Sequence, residues 1–441
     1  MRQNRENQLP LAPLWPHHQL GEELRVISEI LDANPSISEM VLHDLCDTSS
    51  PDNGAPGLSG EQVVRCAVLK QLHQFSYERL AFHLSDSLSA RSFCRLPYAY
   101  APARSVLQEN ISRIQASTWE QIRRVLVRWA AEKGLEQGRK IRVDATAVES
   151  EIHYPTDSQL LYDGVEVLTR LLIGCRSCSP MVFTDHRRRA KRRLMNIRNR
   201  RGRNRVQAYR DLLKVARKTH SYALTALGQE AGAAPLQRGS VWEQLRHYTG
   251  LLAQVIDQTE RRVLWGEKVP ACEKVVSLFE EHTDIIEKGS RETVFGHKLW
   301  LTCGKSSLML DCVLKRGNPA DSAVTQEMLE RQAELYGRYP RQASLDGGFA
   351  SAANLKWAKK QGIQDVAFAK KCGLKIENMV RSSWVYQQLR RFRAGIEGCI
   401  STLKRVFGLR RCTWKSWAHF QQYVHLSVVT YNLVVLARLL L

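Results

Sequence analysis

The sequence lacks an uninterrupted apolar segment long enough to span a membrane. The longest apolar run, 424–441, is interrupted by His425, Asn432 and Arg438, whereas a transmembrane helix needs about 20 consecutive, mostly apolar residues. We therefore expect this run to form a helix in the protein core, and we expect no contact with a membrane.

Cysteine, proline and glycine are too scarce or too scattered to dominate the structure. The 441 residues include 11 cysteines, 14 prolines and 26 glycines, and 44% of the residues are hydrophobic. This composition excludes a disordered chain, a collagen-like chain and a small disulfide-stapled domain. The cysteines follow no regular spacing and the segment MRQNRENQLP is too polar for a signal peptide, so we expect reduced thiols in a cytoplasmic protein.

Acidic residues are fewer than basic ones, and the imbalance is uneven along the chain. There are 65 Lys and Arg against 44 Asp and Glu, a formal charge of +21. Residues 1–100 carry a net charge of −4, whereas residues 187–220 carry +14 and residues 390–415 carry +7. Solvated helix faces usually alternate in charge sign, and these two segments do not. They predict salt-dependent, largely sequence-independent contacts with nucleic-acid phosphates.

The first part of the chain shows helical signals. Residues 45–60 are rich in Pro, Gly, Ser and Asp and predict a linker. Ser59 and Gln62 form a capping-box pattern for one helix, and Ser76 is placed to cap a second. Helices so closely joined, with a third candidate at 88–96, are typical of a helix-turn-helix unit that contacts DNA, although an ordinary helical bundle has the same pattern.

A second pair of helices is predicted at 105–115 and 117–133. Ser117 and Glu120 form another capping-box pattern at the start of the later helix, and Gly134 provides a stop.

A change of period at Lys140 marks the start of an α/β region. The segment IRVDATAV alternates apolar and polar residues and predicts a strand with Asp144 on its polar face. Helical patterns follow from 158 to about 287, with a breaker at 228–239. Strand patterns then return, alternating with helices. This order predicts an α/β domain interrupted by a helical insertion of about 130 residues, which is too long for a structureless loop.

Three acidic residues occupy positions that favour phosphoryl chemistry. Asp346 ends a predicted strand and precedes two glycines, which permit close approach of a substrate. Asp144 is isolated within an apolar strand and needs a partner or a metal. Glu397 lies on a helix with an apolar stripe; alone it indicates an ion-paired surface acid. Together the three predict ligands for hard divalent cations.

These segments resemble bacterial insertion-sequence transposases of the DDE type. The resemblance spans roughly residues 55–441 and rests on the segments VDAT, IHYPTDS, HTDIIEKGSRETVFGHK, LDGGFAS and RAGIEGCISTLKRVFGL. It implies a ribonuclease H-like fold in which Asp144, Asp346 and Glu397 bind two Mg²⁺ ions per active site, with Mn²⁺ as a substitute.

The resemblance also implies the remaining roles. Arg393, Glu397 and Lys404 match the spacing of a Tyr, Arg, Glu, Lys signature, whose Tyr position falls on Arg390. Arg393 and Lys404 would hold phosphates near the cut. The insertion would grip transposon-end DNA through its basic residues: Arg187, Arg188, Arg189, Lys191, Arg192, Arg193, Arg198, Arg200, Arg201, Arg203 and Arg205.

The expected fold class is α/β: a ribonuclease H-like mixed sheet with helices, interrupted by a large α-helical insertion after the first strand, plus an all-α amino-terminal domain. The expected domains are an amino-terminal helix and linker (1–58), a helical DNA-binding or dimerisation domain (59–136), a catalytic domain (137–157 and 290–441) and a helical basic insertion (158–289).

The implied activity is cleavage of phosphodiesters at transposon ends and transfer of the 3′-OH strands into target DNA. The expected partners are double-stranded DNA and, in the synaptic complex, a second or further copies of the chain, in the cytoplasm at the bacterial nucleoid. Two alternatives share these features: a non-catalytic DNA-binding protein derived from a transposase, and a metal-dependent endonuclease without strand transfer.

Several further signals leave alternatives open. Cys175 and Cys178, with His186 nearby, have the spacing of half a zinc site without a second pair. The segment WKSWAHF is equally suited to stacking on bases and to core packing. The remaining candidates are histidines near the predicted site and rival acids: His153, His297, Asp157, Asp163, Asp311 and Asp365.

Overall fold

The computed structural model of the chain falls into two compact units. The first consists of 1–150 and 297–441, and the second of 151–296. The residues that the structure describes are 3–4, 15–46, 57–97, 100–175, 182–229, 240–288, 292–370 and 372–441.

The helices and strands are numbered in chain order. Helices precede the first strand: α1 (Gln19–Asp32), α2 (Ser36–Cys46), α3 (Gly60–Leu72), α4 (Tyr77–Asp86), α5 (Leu88–Phe93), α6 (Arg104–Arg113) and α7 (Ala116–Glu132). The middle of the chain forms β1 (Lys140–Glu149), α8 (Asp157–Cys175), α9 (Arg187–Asn199), α10 (Gly202–Gln229), α11 (Ser240–Thr259), β2 (Asp284–Lys288), β3 (Glu292–Cys303) and β4 (Met309–Leu314). The remainder forms α12 (Asp321–Tyr336), β5 (Gln342–Leu345), α13 (Ala352–Lys360), β6 (Asp365–Phe368), α14 (Ile376–Met379), α15 (Ser383–Arg405) and α16 (Trp417–Leu440).

Two of the three predicted side-chain caps at helix starts are confirmed. Ser59 and Gln62 form the reciprocal capping box of α3, and Ser76 accepts a hydrogen bond from the backbone at the start of α4. The predicted box at Ser117 and Glu120 is wrong, because α7 begins one residue earlier, at Ala116, without a side-chain cap. The backbone N–H of Gln115, just before α7, donates instead to Asp44 on α2.

The sheet of the first unit places two parallel strands side by side at its centre. The strand order is β3-β1-β5-β6, and β4 also pairs with β3. Strands β1, β5 and β6 are parallel, whereas β3 and β4 are antiparallel. The register pairs Val143 with Leu345, so the next residue of β1 and the first residue after β5 are neighbours at the same sheet edge.

Helix α16 is the main core helix of the first unit. It is long and apolar enough to cross a membrane by length and composition, but 78% of its most apolar window is buried inside the protein. It contacts α1, α3 and α7. Its buried Asn432 accepts a hydrogen bond from the Met309 N–H and donates one to the Met309 carbonyl, each at 2.8 Å. These contacts confirm the prediction of a core helix.

The second unit packs helices α8 to α11 around its own apolar core. Leu161, Leu168, Leu212 and Leu252 are buried there. The helical prediction to about 287 is wrong at its end, because Asp284–Lys288 forms a strand that pairs antiparallel with the start of β3. The alternating sequence DIIEK suits a strand better than a helix. Most of the predicted breaker, 230–239, lies outside the described residues.

A buried charge cluster connects the helices of the first unit to its sheet. The Asp311 carboxylate on β4 accepts from Arg123 of α7 at 2.7 Å and from Arg331 of α12 at 2.6 Å. Burial raises the pKa of Asp311, but the two guanidinium groups outweigh it and hold the pKa below its ordinary value. Arg331 also pairs with Glu120. Asp311 is therefore a structural ion-pair partner, placed on a different strand from the predicted catalytic acids.

We predict that Asp311→Asn lowers the free energy of unfolding by about 3–5 kcal/mol, because it leaves Arg123 buried beside a neutral group. The measurement is urea unfolding at neutral pH, with Glu330→Gln as a control, because Glu330 is an exposed acid of α12. If both variants lowered the free energy of unfolding by the same small amount, Asp311 would not be a structural ion-pair partner.

The same cluster has a defined pH dependence. Because the folded-state pKa of Asp311 is depressed, its stabilisation is present above the unfolded pKa and is lost as the pH falls through the folded one. The difference between the wild type and Asp311→Asn should therefore narrow at strongly acidic pH.

Candidate active site

Two of the predicted acids lie at the edge of the central sheet. Asp144 belongs to β1, and Asp346 directly follows β5, the parallel strand that pairs with β1. The Ala145 N–H donates to the Asp144 carboxylate at 2.8 Å, which fixes one of its oxygens. Asp144 is buried and Asp346 is half-buried. The parallel pairing, which joins residues some 200 positions apart, thus brings these two acids together.

Helix α15 positions the third acid. The Ser382 side chain caps its start, and Leu389, Ile396 and Leu403 form the buried face of the helix. This helix contacts β1, β5 and β6, and the Ser344 hydroxyl of β5 donates to the Leu389 carbonyl at 2.9 Å. Glu397 lies on the exposed side of the helix, one turn after Arg393.

The Arg393 guanidinium lies among the three acids. Nη2 is 2.9 Å from Asp144 Oδ2 and 3.2 Å from Asp346 Oδ1, and Nη1 is 3.2 Å from Glu397 Oε1. The Nε atom is buried and has no hydrogen-bond partner among the described residues. A single cation thus contacts carboxylates from a strand, a strand end and a helix, so the sequence-predicted acids converge on one point.

The electrostatics of this cluster favour a cation. Burial raises the pKa of Asp144 above its ordinary value, and the nearby negative charge of Asp346 acts in the same direction. Arg393 and the Ala145 N–H oppose the rise without cancelling it. The rise reflects mainly the burial of the Asp144 carboxylate, which Arg393 offsets only in part. A further cation beside it would favour its charged form.

The donor set suits a hard divalent cation. Carboxylate oxygens are the side-chain ligands that Mg²⁺ and Mn²⁺ prefer, and three carboxylates contact the same guanidinium. Across the residues that the structure describes, no three His, Cys, Asp or Glu side chains lie close enough together to hold one ion directly. Arg393 occupies the space between Asp144, Asp346 and Glu397, where a cation would be shared.

Arg142 and Gly395 support the site, although the sequence interpretation did not single them out. Arg142 of β1 donates to the Phe392 carbonyl of α15 at 3.1 Å and to the Ser307 hydroxyl at 3.0 Å. A Cβ atom on Gly395 would overlap the Nη1 atom of Arg142. Two sequence signals point to these residues: Arg142 is a cation two positions before Asp144 in an apolar strand pattern, and Gly395 lies between Arg393 and Glu397 in a helical pattern.

The basic residues of the insertion occupy the second unit. On α9, the apolar side chains Ala190, Leu194 and Ile197 are buried, so the cations project from the other faces of the helix. Arg187 pairs with Asp185 at 2.6 Å, and Arg198 donates to Gln159 at 2.8 Å. The exposed cations of the predicted set are Arg188, Arg189, Lys191, Arg192, Arg198, Arg200, Arg201, Arg203 and Arg205.

The rival acids have other partners. Asp157 is buried and pairs with Arg262 at 2.9 Å in the second unit. Asp163 accepts from Gln159 at 2.7 Å, and Asp365 accepts from Arg381 and Gln342. Each of these acids therefore has partners outside the cluster around Arg393.

The other candidates are placed as follows. His297 is buried, and its ring lies 4.6 Å from the Trp417 ring and 4.9 Å from the Phe420 ring. His153 lines a cavity of the second unit. Cys178 of the proposed zinc half-site lies outside the described residues.

Two stretches of the chain match families of known proteins. Residues 273–433 match the family described as Transposase DDE domain, and residues 15–113 match the family described as Transposase domain (DUF772). The chain therefore carries a Transposase DDE domain together with a second transposase domain. This combination is the typical architecture of insertion-sequence transposases, as the sequence resemblance predicted. No curated protein and no solved structure matches it.

The matched ranges cover two of the three acids. Asp346 and Glu397 lie within the Transposase DDE domain, whereas Asp144 lies between the two matched ranges. Its association with the other two acids depends on the pairing of β1 with β5. DDE transposase domains generally use divalent metal ions.

We predict opposite effects for two glycine substitutions on α15. Alanine is favoured over glycine inside a helix by about 1 kcal/mol, and Gly398 has open space around its Cα atom. Gly398→Ala should therefore stabilise the protein by up to about 1 kcal/mol. Gly395→Ala should destabilise it by about 1–3 kcal/mol, because Arg142 is displaced from its carbonyl acceptor.

Thermal and urea unfolding of the two variants measure this difference. Stabilisation of similar size in both would show that the contact of Arg142 with α15 does not constrain the helix.

Proposed function

We propose that this protein binds transposon-end DNA, cleaves phosphodiesters at the ends and transfers the resulting 3′-OH strands into target DNA. The observation that supports this reaction most directly is the convergence of Asp144, Asp346 and Glu397 on Arg393 within 3.2 Å. Transposase activity in general follows from the family. The acids give this activity a specific site.

The catalytic domain is proposed to be ribonuclease H-like, with 158–289 as an insertion. The mixed sheet supports this assignment, because its acid-bearing strands are adjacent and parallel. The separate apolar core of the second unit supports the insertion, since a helical segment of this size needs its own core.

Asp144, Asp346 and Glu397 would hold two Mg²⁺ ions, or Mn²⁺ as a substitute. The bound ions supply activation of water or of a 3′-OH and stabilisation of the leaving oxygen. The protein's own contribution is positional: β1 and β5 fix the two aspartates, and α15 carries Glu397. The half-buried site also keeps part of the solvent away from Asp144, which strengthens its attraction for positive charge.

Arg393 has two successive roles in this proposal. Without divalent ions its guanidinium neutralises three carboxylates that would otherwise repel one another. With divalent ions on the carboxylates, this cation would be available for a DNA phosphate near the cut. Lys404, farther along the same helix, is proposed as a further phosphate contact.

The basic residues of α9 and α10 are proposed to hold double-stranded DNA by its phosphates. The exposed positions from Arg188 to Arg205 lie on the solvent side of an amphipathic helix and the start of the next. Such contacts make affinity fall steeply with salt and depend little on sequence. Joining two ends implies at least a dimer in the working complex, and the proposed place of action is the cytoplasm, at the nucleoid.

We predict that Asp144→Asn, Asp346→Asn and Glu397→Gln each abolish DNA cleavage, because each removes a charged ligand, and that each keeps DNA affinity within about five-fold. The assay incubates the protein with Mg²⁺, a target plasmid and DNA that carries the inverted repeats flanking its gene. Glu377→Gln is the control, because Glu377 is an exposed acid at 74% of its full side-chain exposure.

The products separate the possible functions. Joined products indicate a transposase, cleavage without joining indicates an endonuclease, and neither indicates a non-catalytic DNA-binding protein. Retained cleavage in any of the three variants would remove that residue from the catalytic set.

We predict that Arg393→Gln increases Mn²⁺ affinity by about ten-fold, because it removes a cation that competes for the same carboxylates. Mn²⁺ binding is measured by calorimetry or electron paramagnetic resonance, without DNA. Arg390→Gln on the same helix is the matched control and should leave the affinity unchanged. The Arg393 variant should also be less stable than the wild type without Mn²⁺, and the difference should shrink when Mn²⁺ is added. Unchanged or weaker Mn²⁺ binding would contradict competition.

A further inference from the structure

A polar cavity lies in the first unit, where two distant segments meet. The turn between α3 and α4 forms one wall, and the loop between α15 and α16 forms the other. The cavity has a volume of about 570 Å³, within the range of small-ligand sites. The side chains that matter for its chemistry are Lys70, Gln74, Tyr77, Arg104 and Trp414.

Lys70 places a buried positive charge in this cavity. The residue is only 6% exposed, and its Nζ atom lies 4.7 Å from the centre of the Tyr77 ring and 5.4 Å from that of Trp414. Among the described residues, no carboxylate pairs with Lys70 and no acceptor receives a hydrogen bond from Nζ. Ring faces satisfy an ammonium group only in part, so its three N–H donors are left for a ligand.

The charge state of Lys70 suits an anionic ligand. Burial lowers the pKa of Lys70 to about 8, so the group is mostly protonated at neutral pH although the side chain is largely removed from water. An anion in the cavity would recover part of the lost solvation and would add charge-assisted hydrogen bonds.

The surroundings add to the attraction for an anion. Ser76 and Tyr77 line the cavity at the amino-terminal end of the ten-residue helix α4, where backbone N–H groups favour negative charge. Arg104 lies at the rim; Glu78, also at the rim, is 4.0 Å from it and reduces its effect. The loop that carries Trp414 belongs to the basic segment 390–415.

The aromatic walls favour a nucleotide unit over a small inorganic anion. Tyr77 and Trp414 lie 6.4 Å apart at an angle of 29°, and both are only half-buried. Such rings contact the apolar faces of sugars and bases, whereas an inorganic anion gains little from them. Hydrogen bonds fix Gln71, another residue of the cavity lining: it donates to the Phe407 carbonyl at 2.8 Å and to the Ser427 hydroxyl at 2.7 Å.

We propose that this cavity binds one phosphate of a DNA strand, with Lys70 as its counter-ion and with Tyr77 and Trp414 against the adjoining sugar or base. It forms a DNA contact separate from the acid cluster and from the basic helices of the second unit. The inference rests on the proposed function only in requiring that the protein binds DNA.

The test measures DNA affinity of the full-length protein by fluorescence anisotropy at several salt concentrations. The probe is a labelled double-stranded oligonucleotide. Lys70→Met should weaken binding by about ten-fold and reduce the slope of log affinity against log salt by about 0.9, the value for one phosphate contact. Trp414→Leu should weaken binding by about five-fold and leave that slope unchanged.

Two matched controls accompany these variants. Lys133→Met removes an exposed lysine whose Nζ lies 5.9 Å from the Trp129 ring, outside the cavity. Trp384→Leu removes a tryptophan that is 68% exposed. Both should bind DNA like the wild type. Lys70→Arg retains the charge and should recover most of the affinity, which guards against a Lys70→Met variant that fails to fold.

Each outcome bears on the proposal. Folded Lys70→Met with wild-type affinity and slope overturns it. The proposal is also overturned if Lys70→Met changes the mass of the protein in solution and leaves DNA affinity unchanged, because the cavity would then bind a second copy of the chain. Millimolar inorganic phosphate and the unlabelled oligonucleotide are each tested as competitors of the labelled probe. Equal competition by both would show a free-phosphate site and reject the DNA assignment. Asp144→Asn is the reference variant, because it should bind DNA like the wild type. If neither protein binds DNA, the proposed function is wrong, whatever the cavity binds.

Discussion

Three carboxylates that approach one another repel unless positive charge or protonation compensates them, and in the first unit the compensating charge is a single guanidinium. Asp144, Asp346 and Glu397 come from a strand, a strand end and a helix, and all three contact the guanidinium of Arg393. Because Arg393 and Glu397 are one turn apart on α15, the position of that helix determines both the third acid and the cation. Burial raises the pKa of Asp144, and Arg393 offsets this rise only in part.

The placement of α15 depends in turn on contacts that contribute no chemistry. Ser344 and Arg142, on the two acid-bearing strands, each donate to a backbone carbonyl of α15. Gly395 leaves space for Arg142 where any larger residue would collide with it. These contacts fix the separation of helix and sheet, so the distance between Glu397 and the two aspartates is a consequence of packing and hydrogen bonding between side chains and backbone.

Positive charge is used in four different ways in this protein. On α9 and α10 it is mostly exposed, as expected for contacts with DNA phosphates. At Arg393 it compensates a cluster of acids, and at Arg123 and Arg331 it is paired with Asp311 in the interior. Lys70 is different again, because it is buried between aromatic rings and no carboxylate pairs with it among the described residues. The net charge of +21 therefore combines groups with distinct physical roles.

The sequence alone determined the elements and the candidate acids. Three local patterns identified the acids: the alternation around Asp144, the glycines after Asp346 and the apolar stripe beside Glu397. Local patterns of this kind indicate which residues face a core. The same reasoning was wrong at Ser117, because the backbone N–H before α7 donates to Asp44 of another helix. It was also wrong at Asp284–Lys288, which pairs as a strand although a helix was predicted. Only the tertiary structure decided that Arg393 contacts the acids, that Arg142 holds α15, and that Lys70 and Trp414 share a cavity. These contacts join residues that lie up to about 340 positions apart in the chain. Their distances are set by the packing of helices on the sheet, and such packing produces no periodic pattern in the sequence.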